Sequence, residues 1–365
     1  MDDAGRFYKK ESESASTHVG LRWKSRIRYT VPRDRASQRA CWEVFQPGSL
    51  ELPMRAMARF PRLSGSVSCV EGPAIELIRE LMGMKAERSC CRAGAAGVWS
   101  KDTILFLDKV HGAPLFLVKA GVGEGVNALL ENEARWLQQL RQYPSLVGHI
   151  PALVAHRLGT DVCFVGQSAL RGDLEFNLGD VHFEFLRSLQ QVTVQLMLYE
   201  DSRSYQTLAS RLADLDQQLS EPWSTRLNAA MGRVNHAFSG LQVPMVAAHR
   251  DFTPWNVRVD QGILKVFDWE FADDAQLPIF DPLHFALTPM ALKGASTQKI
   301  IQRMMEALAQ CRAQLQQGFC YQEKVQALAY LISVCTYYLS SVKGQYDSHP
   351  VLDSYALVID QLCDG

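Results

Sequence analysis

Residues 248–270, AHRDFTPWNVRVDQGILKVFDWE, hold the densest set of side chains suited to chemistry in this 365-residue chain. Apolar runs at 257–259 and 263–267 flank a turn-forming Asp260-Gln261-Gly262 tip, the pattern of a β-hairpin. A hairpin returns its ends to one place. Asn256, at the start of the first strand, and Asp268, just past the end of the second, therefore converge. Two oxygen donors side by side suit Mg²⁺, which takes one or two carboxylates together with phosphates and water. Asp251 lies in the loop before the first strand, within reach of the same point. Its carboxylate is suited to accept a proton from an attacking hydroxyl. Polar residues scattered there without a shared purpose are the plain alternative.

His249-x-Asp251, four residues, Asn256, a short hairpin and then Asp268-Trp269-Glu270 resembles the signature of the aminoglycoside phosphotransferase and choline kinase family. The resemblance implies an α+β, bilobal protein-kinase-like fold, with a small antiparallel-sheet N-lobe and a larger, mainly helical C-lobe. It implies Asp251 as catalytic base, Asn256 and Asp268 as Mg²⁺ ligands, and His249 as support for the catalytic loop. ATP and Mg²⁺ are the implied cofactors. The implied partner is a small-molecule hydroxyl acceptor, whether sugar, amino sugar or amino alcohol. Arg250 stands where the family often carries Gly.

The same family calls for a strand lysine held by a helix glutamate. Lys119 ends the run PLFLVK, and Glu133 lies on the following helix in ENEARWL. Glu131 is a neighbour, but the family's E-A-x-x-L pattern selects Glu133. Taken alone, such a lysine and glutamate are ordinarily surface charges. Gly94 and Gly97, in RAGAAGVWSK, stand where the family has a glycine turn whose backbone N–H groups approach phosphate. No G-K-[ST] follows, so this is not a Walker A motif, and a plain turn is the other reading. Ser168 and Leu170, in QSAL, stand where the family meets adenine through backbone groups. Asp281, in FDPLHFAL, matches a further aspartate that fixes the family's active-site architecture. Glu270, Asp273 and Asp274 make an acidic run that would draw in a cationic acceptor, unless it is simply a solvated turn. The resemblance spans roughly residues 94–287.

The elements needed to position these residues are legible to different degrees. Runs at 103–107 and 114–118, joined by DKVHGA, predict a hairpin. Leu129, Leu130, Ala134, Leu137 and Leu140 predict an amphipathic helix over 128–141. A short helix is expected over 73–84 and a strand over 162–165. From about residue 180 the pattern reads as mostly helical, interrupted by the 257–267 hairpin. Residues 1–16 read as disordered and 53–72 as irregular. The alternation in RWKSRIRY predicts a single solvated edge strand within a locally basic stretch, residues 21–39. The resulting division is an N-terminal extension at 1–88, an N-lobe at 89–170 and a C-lobe at 171–365.

Composition excludes several classes. The formal net charge is −1, which offers no field for a nucleic-acid or membrane partner. Nine cysteines without a C-x-x-C pair read as buried or free thiols of a reducing cytosol, and a cytoplasmic location follows as the expectation. Residues 325–342 are apolar enough to be weighed as a membrane span, but their Gln, Ser and Thr content favours a buried helix. No G-x-S-x-G or H-E-x-x-H motif is present. His182, His236 and His284 lack metal-ligand spacing and read as structural. Two further readings compete with phosphoryl transfer to a metabolite. One is a catalytically inactive nucleotide-binding pseudokinase acting as a scaffold; the other is a protein kinase, weakened by Trp-Glu rather than Phe-Gly after Asp268.

Overall fold

The structure, a computed structural model, describes residues 7–12, 14–23, 26–46, 53–59, 66–84, 88–94, 99–159, 162–216, 219–316, 318–341 and 349–364. The chain divides into two compact units, Met1–Gln142 with Ile150–Gly172, and Tyr143–His149 with Asp173–Gly365.

The first unit carries strands β1 (Tyr8–Lys10), β2 (His18–Trp23), β3 (Arg26–Pro32), β4 (Val67–Glu71), β5 (Arg88–Arg92), β6 (Lys101–Leu107), β7 (Pro114–Gly121), β8 (Leu153–Arg157) and β9 (Cys163–Ser168). Its helices are α1 (Arg35–Phe45), α2 (Pro53–Arg59), α3 (Pro73–Leu81) and α4 (Glu124–Leu140). All nine strands form one sheet in the order β1-β4-β2-β3-β5-β6-β7-β9-β8, every neighbouring pair antiparallel. Apolar side chains fill both faces. Cys90, Leu105 and Leu107 pack with Tyr29, Trp42 and Phe45 on one. Cys91, Ile104 and Phe106 pack with Ile75, Ile78 and Phe164 on the other. A strand buried on both faces loses the polar half of its alternation. That is why TILFL reads as a continuous run.

Helix α1 starts where Asp34 accepts a hydrogen bond from the Ser37 amide at 2.9 Å, an N-cap that satisfies one of the helix's open donors. Cys41 on α1 and Cys90 on β5 form a disulfide, with Cα atoms 6.6 Å apart. The scattered cysteine pattern predicted free thiols throughout. This pair departs from it because the helix lies against the sheet, a proximity that spacing along the chain does not encode.

The second unit is mainly helical: α5 (Pro144–Val147), α6 (Asp180–Thr193), α7 (Arg203–Asp216), α8 (Glu221–Phe238), α9 (Phe280–Ala291), α10 (Thr297–Gln314), α11 (Glu323–Ser341) and α12 (Pro350–Asp364). Strands β10 (Gln195–Leu198), β11 (Gln242–Ala248) and β14 (Asp273–Gln276) make a three-stranded sheet, while β12 (Val257–Asp260) and β13 (Ile263–Val266) make a separate hairpin. Nearly every residue of α9 is buried, and α10, α11 and α12 all pack on it. A helix apolar all round belongs in a core. Among the described residues no helix is long and apolar enough to cross a membrane.

Several expectations need correction. The RWKSRIRY alternation covers two antiparallel strands, β2 and β3, both inside the sheet rather than one at its edge. Tyr8–Lys10 pairs with β4 where disorder was expected, and 53–72 contains α2 and β4 where irregular chain was expected. Strands β1 to β4 are thus not a separate appendage: they continue the sheet that carries Lys119. The helical reading of 180–200 breaks at Val194, where the β-branched run Val192-Thr193-Val194 gives way to β10. β11 and β14 were missed because their partners lie far away in sequence.

Candidate active site

Strand β11 delivers the chain to His249, which is fully buried. Its Nε2–H donates to the Phe267 carbonyl at 2.9 Å, and its Nδ1 accepts from the Asp251 amide at 3.3 Å. The ring thereby ties the loop before the hairpin to the strand end after it, and it packs edge-on against Trp269 with ring centroids 4.7 Å apart. Asp281, at the start of α9, accepts hydrogen bonds from the backbone amides of His249 (2.7 Å) and Arg250 (2.9 Å). Burial pushes the Asp281 carboxyl upward, and its histidine neighbours and these two amides act against that rise. Arg250 adopts a left-handed backbone, φ 65°, which a side-chain-bearing residue rarely takes. Its guanidinium lies 3.5 Å from Asp273 and over the Phe280 ring.

Asp251 follows this turn. Its Oδ2 accepts from the Asn256 side-chain amide at 2.8 Å, and its carbonyl accepts from the same amide at 2.9 Å. Asn256 thus gives both amide hydrogens to Asp251 and keeps its own Oδ1 as an acceptor. The hairpin pairs Val257 with Val266, and the Phe267 amide donates to the Asn256 carbonyl at 3.2 Å. Asp268 follows directly, itself left-handed at φ 73°. The strand pairing therefore brings the chain positions of Asn256 and Asp268 together, as the hairpin pattern predicts. An amide oxygen and a carboxylate form a hard, oxygen-only donor set. That fits Mg²⁺ and not a soft metal.

A cavity of about 280 Å³ opens beside Asp251. Helix α11 forms one wall with Ser333, Val334, Tyr337 and Tyr338, which the helical repeat places on one face. The apolar stretch weighed as a membrane span is therefore core on one side and cavity wall on the other. Burial and the nearby Asp251 charge together push the Tyr338 hydroxyl up to about 12, and the same causes raise Tyr337. His284, one turn beyond Asp281 on α9, places Nε2 3.5 Å from Asp251 Oδ1. Behind it, Thr288, Tyr330 and Tyr355 form a chain of hydroxyl contacts between 3.3 and 3.4 Å.

In the first unit, Lys119 Nζ lies 2.7 and 2.8 Å from the two carboxylate oxygens of Glu133. Lys119 comes from β7, between Thr103 of β6 and Val165 of β9, and Glu133 comes from the buried face of α4. The pair is buried, so it is not the exposed-charge alternative. Gly94 donates its amide to Asp102 Oδ1 at 2.9 Å and abuts the Lys101 backbone so closely that a Cβ would clash. Gly97 lies outside the described residues. The Ser168 amide donates to the Ala152 carbonyl and its hydroxyl accepts from the Ala152 amide, so both groups serve the sheet. Leu170 follows β9, half-buried.

Sequence reasoning set His284 aside, and it passed over Trp255, Phe271, Tyr337 and Tyr338 altogether. For His284 a signal existed: it stands three residues after Asp281 on one helix, and that spacing shares a face. The acidic run resolves differently from its expectation. Glu270 is buried, Asp273 is engaged by Arg250, and Asp274 is exposed.

A model of the phosphotransferase enzyme family matches residues 93–290. No curated protein matches the chain. Among solved structures, a thermostable mutant of aminoglycoside phosphotransferase APH(4)-Ia in ternary complex with ADP and hygromycin B aligns at TM-score 0.51 and 11% identity, covering 79% of this chain and 96% of that one. An apo form of a thermostable mutant aligns at 0.51 and 12% identity, with 79% and 96% covered. A further APH(4)-Ia crystal structure aligns at 0.50 and 13% identity, with 80% and 96% covered.

Proposed function

Because this chain belongs to the phosphotransferase enzyme family and has its α+β, protein-kinase-like fold, we propose that it moves the γ-phosphoryl group of ATP to a hydroxyl of a small molecule. The observation that carries this reading is the pairing of Asp251 with Asn256 on a loop pinned by Asp281, with a cavity beside the carboxylate.

Asn256 and Asp268 are the residues to hold Mg²⁺, which when bound neutralises phosphate charge. Asp251 receives the acceptor's proton as the acceptor oxygen bonds to the γ-phosphorus and the bond to the bridging oxygen breaks, releasing ADP. In such a loose transition state most of the acceleration comes from positioning and charge, not from covalent participation. Asn256 orients the Asp251 carboxylate through its amide hydrogens. His249 and Asp281 hold the loop and touch no reacting atom. Lys119, steadied by Glu133, supplies a buried cation for the nucleotide phosphates. A scaffold without chemistry has no need for Lys119, Glu133, Asp251, Asn256 and Asp268 all together.

The test is ATP affinity by calorimetry with and without Mg²⁺, in the native protein and in Asp268→Ala. Binding that requires Mg²⁺ and disappears in the variant supports the reading. Absence of nucleotide binding under both conditions overturns it.

A further inference from the structure

The cavity beside Asp251 has a character that the family resemblance did not suggest. Its apolar lining is dominated by the rings of Trp255, Phe271, Phe280, Tyr337 and Tyr338. Trp255 and Tyr337 remain 41% and 42% exposed. Large apolar rings left in water and gathered around one carboxylate mark a recognition surface. Trp255 sits between Asp251 and Asn256 in sequence, so the loop that carries the proposed base also carries a ring platform. Phe271, Tyr337 and Tyr338 continue the platform through edge-on contacts at 6.2 and 5.6 Å.

Charge in the same place is balanced. Arg250 faces Asp273, and the Arg211 guanidinium lies 5.9 Å from the centre of the Tyr337 ring. Arg250 stands 6.0 Å from the centre of the Phe280 ring. Two aromatic faces that could greet a ligand cation are thus already taken by the protein's own cations. Asp251 is the carboxylate among the cavity's lining residues, and its role in the proposed reaction is to take a proton. The charges that act on Tyr337 are Asp251 and Glu270 against Arg211 and Arg250, so a polycationic acceptor would meet no net anionic field at that ring.

Resting on the phosphotransferase reading above, we infer that the acceptor is an uncharged alcohol built on a single ring, which stacks on Trp255 and the α11 tyrosines and presents its hydroxyl to Asp251. The volume of about 280 Å³ is at the small end of ligand sites and suits one ring rather than an oligosaccharide. Ser333, Thr288 and the two tyrosine hydroxyls are the neutral hydrogen-bonding groups that fix its orientation. The acceptor loses a hydroxyl proton to Asp251 and gains the γ-phosphoryl group, and ADP leaves, so the exchange balances without any further reactant.

The experiment compares acceptors with Mg²⁺ and ATP present throughout: cyclohexanol, 2-phenylethanol and N-acetylglucosamine against an aminoglycoside and ethanolamine. ADP formation and direct acceptor binding are both measured. The expected result is a kcat/KM at least about tenfold higher for the uncharged ring alcohols. Trp255→Ala should raise their KM about tenfold, Trp255→Phe should restore most of it, and ATP affinity should stay unchanged in both. Preferred turnover of either amine overturns the inference. So does nucleotide binding accompanied by no uncharged ring alcohol bound or phosphorylated. Loss of Mg²⁺-dependent ATP binding in the native protein is the separate result that overturns the underlying phosphotransferase reading.

Discussion

The side-chain amide of Asn256 donates to Asp251 twice, once to the carboxylate at 2.8 Å and once to the backbone carbonyl at 2.9 Å. The orientation of the proposed base therefore depends on a residue whose other face is proposed to hold a metal. Asn256→Asp would place a second carboxylate against the first, and like charges at that distance oppose ionisation. Turnover is expected to fall by at least ~10²-fold. The acid limb of the pH–rate profile should move to higher pH, a shift that Asn256→Ala should not reproduce.

Asp251→Asn keeps the shape and the acceptor oxygen for Asn256 but removes the basic carboxylate. Steady-state assays should show kcat lower by ~10²–10⁴-fold, with ATP affinity by calorimetry nearly unchanged. Wild-type turnover in this variant would remove Asp251 from the base role.

Lys119→Met takes away the ammonium that lies against a fully buried carboxylate. Breaking such a pair from one side costs about 3–5 kcal/mol, while replacing both charges with apolar groups is close to neutral. Denaturant unfolding should therefore show Lys119→Met strongly destabilised and Lys119→Met/Glu133→Leu largely recovered. Nucleotide affinity should be lost in both. A double variant as unstable as the single one would show that packing, not the uncompensated charge, sets the cost.

Arg250 holds φ at 65° with a side chain in place. Arg250→Gly and Arg250→Ala lose the same ion pair and ring contact, but glycine alone is at ease in that conformation. The glycine variant should be the more stable of the two by about 1 kcal/mol, read from denaturant midpoints. Equal midpoints would mean that the turn relaxes when the side chain is cut back.

His182 is buried between Phe252 and Phe285, and burial lowers its pKa to about 4. The folded state then holds fewer protons than the unfolded state between pH ~6.5 and the folded value. Stability from this group is fully present above the unfolded pKa and falls as pH drops through that window. The whole effect is about 3 kcal/mol at most. Its Nδ1 also accepts from the Gly179 amide at 3.2 Å, so His182→Asn keeps an acceptor near the helix start. Midpoints at pH 7 and pH 5 should differ less in this variant than in the native protein.

The β12–β13 hairpin and α4 were legible in the sequence because their signals are local. Alternation, a turn tip and 3.6-residue spacing are each contained within about twenty residues. The Lys119–Glu133 contact was legible through the family resemblance, and its burial was not. Non-local pairing accounts for the remainder. β10, β11 and β14 bring together segments from 195 to 276, and no short window carries that information. The cavity depends on α11 meeting the loop that carries Asp251, so its tyrosines read as ordinary apolar residues until the fold places them. His284 was discounted on metal-ligand spacing, when its relevant neighbour was a carboxylate on a different element.

The first unit's sheet runs without interruption from β1 to β8, yet the register between β3 and β5 consists of two paired positions, Tyr29 with Arg92 and Thr30 with Cys91. This narrow seam is reinforced by the Cys41–Cys90 bridge and by Tyr29, Trp42 and Phe45 packing on Leu105 and Leu107. A polypeptide trimmed to begin at Arg88 would bare the open hydrogen-bonding edge of β5 along with both greasy faces of the strands behind it, which lose Trp42 and Phe45 on one side and Ile75 and Ile78 on the other. Unprotected edges of that kind recruit other chains. Such a shortened protein should clump during expression, even though it keeps every residue proposed to touch ATP.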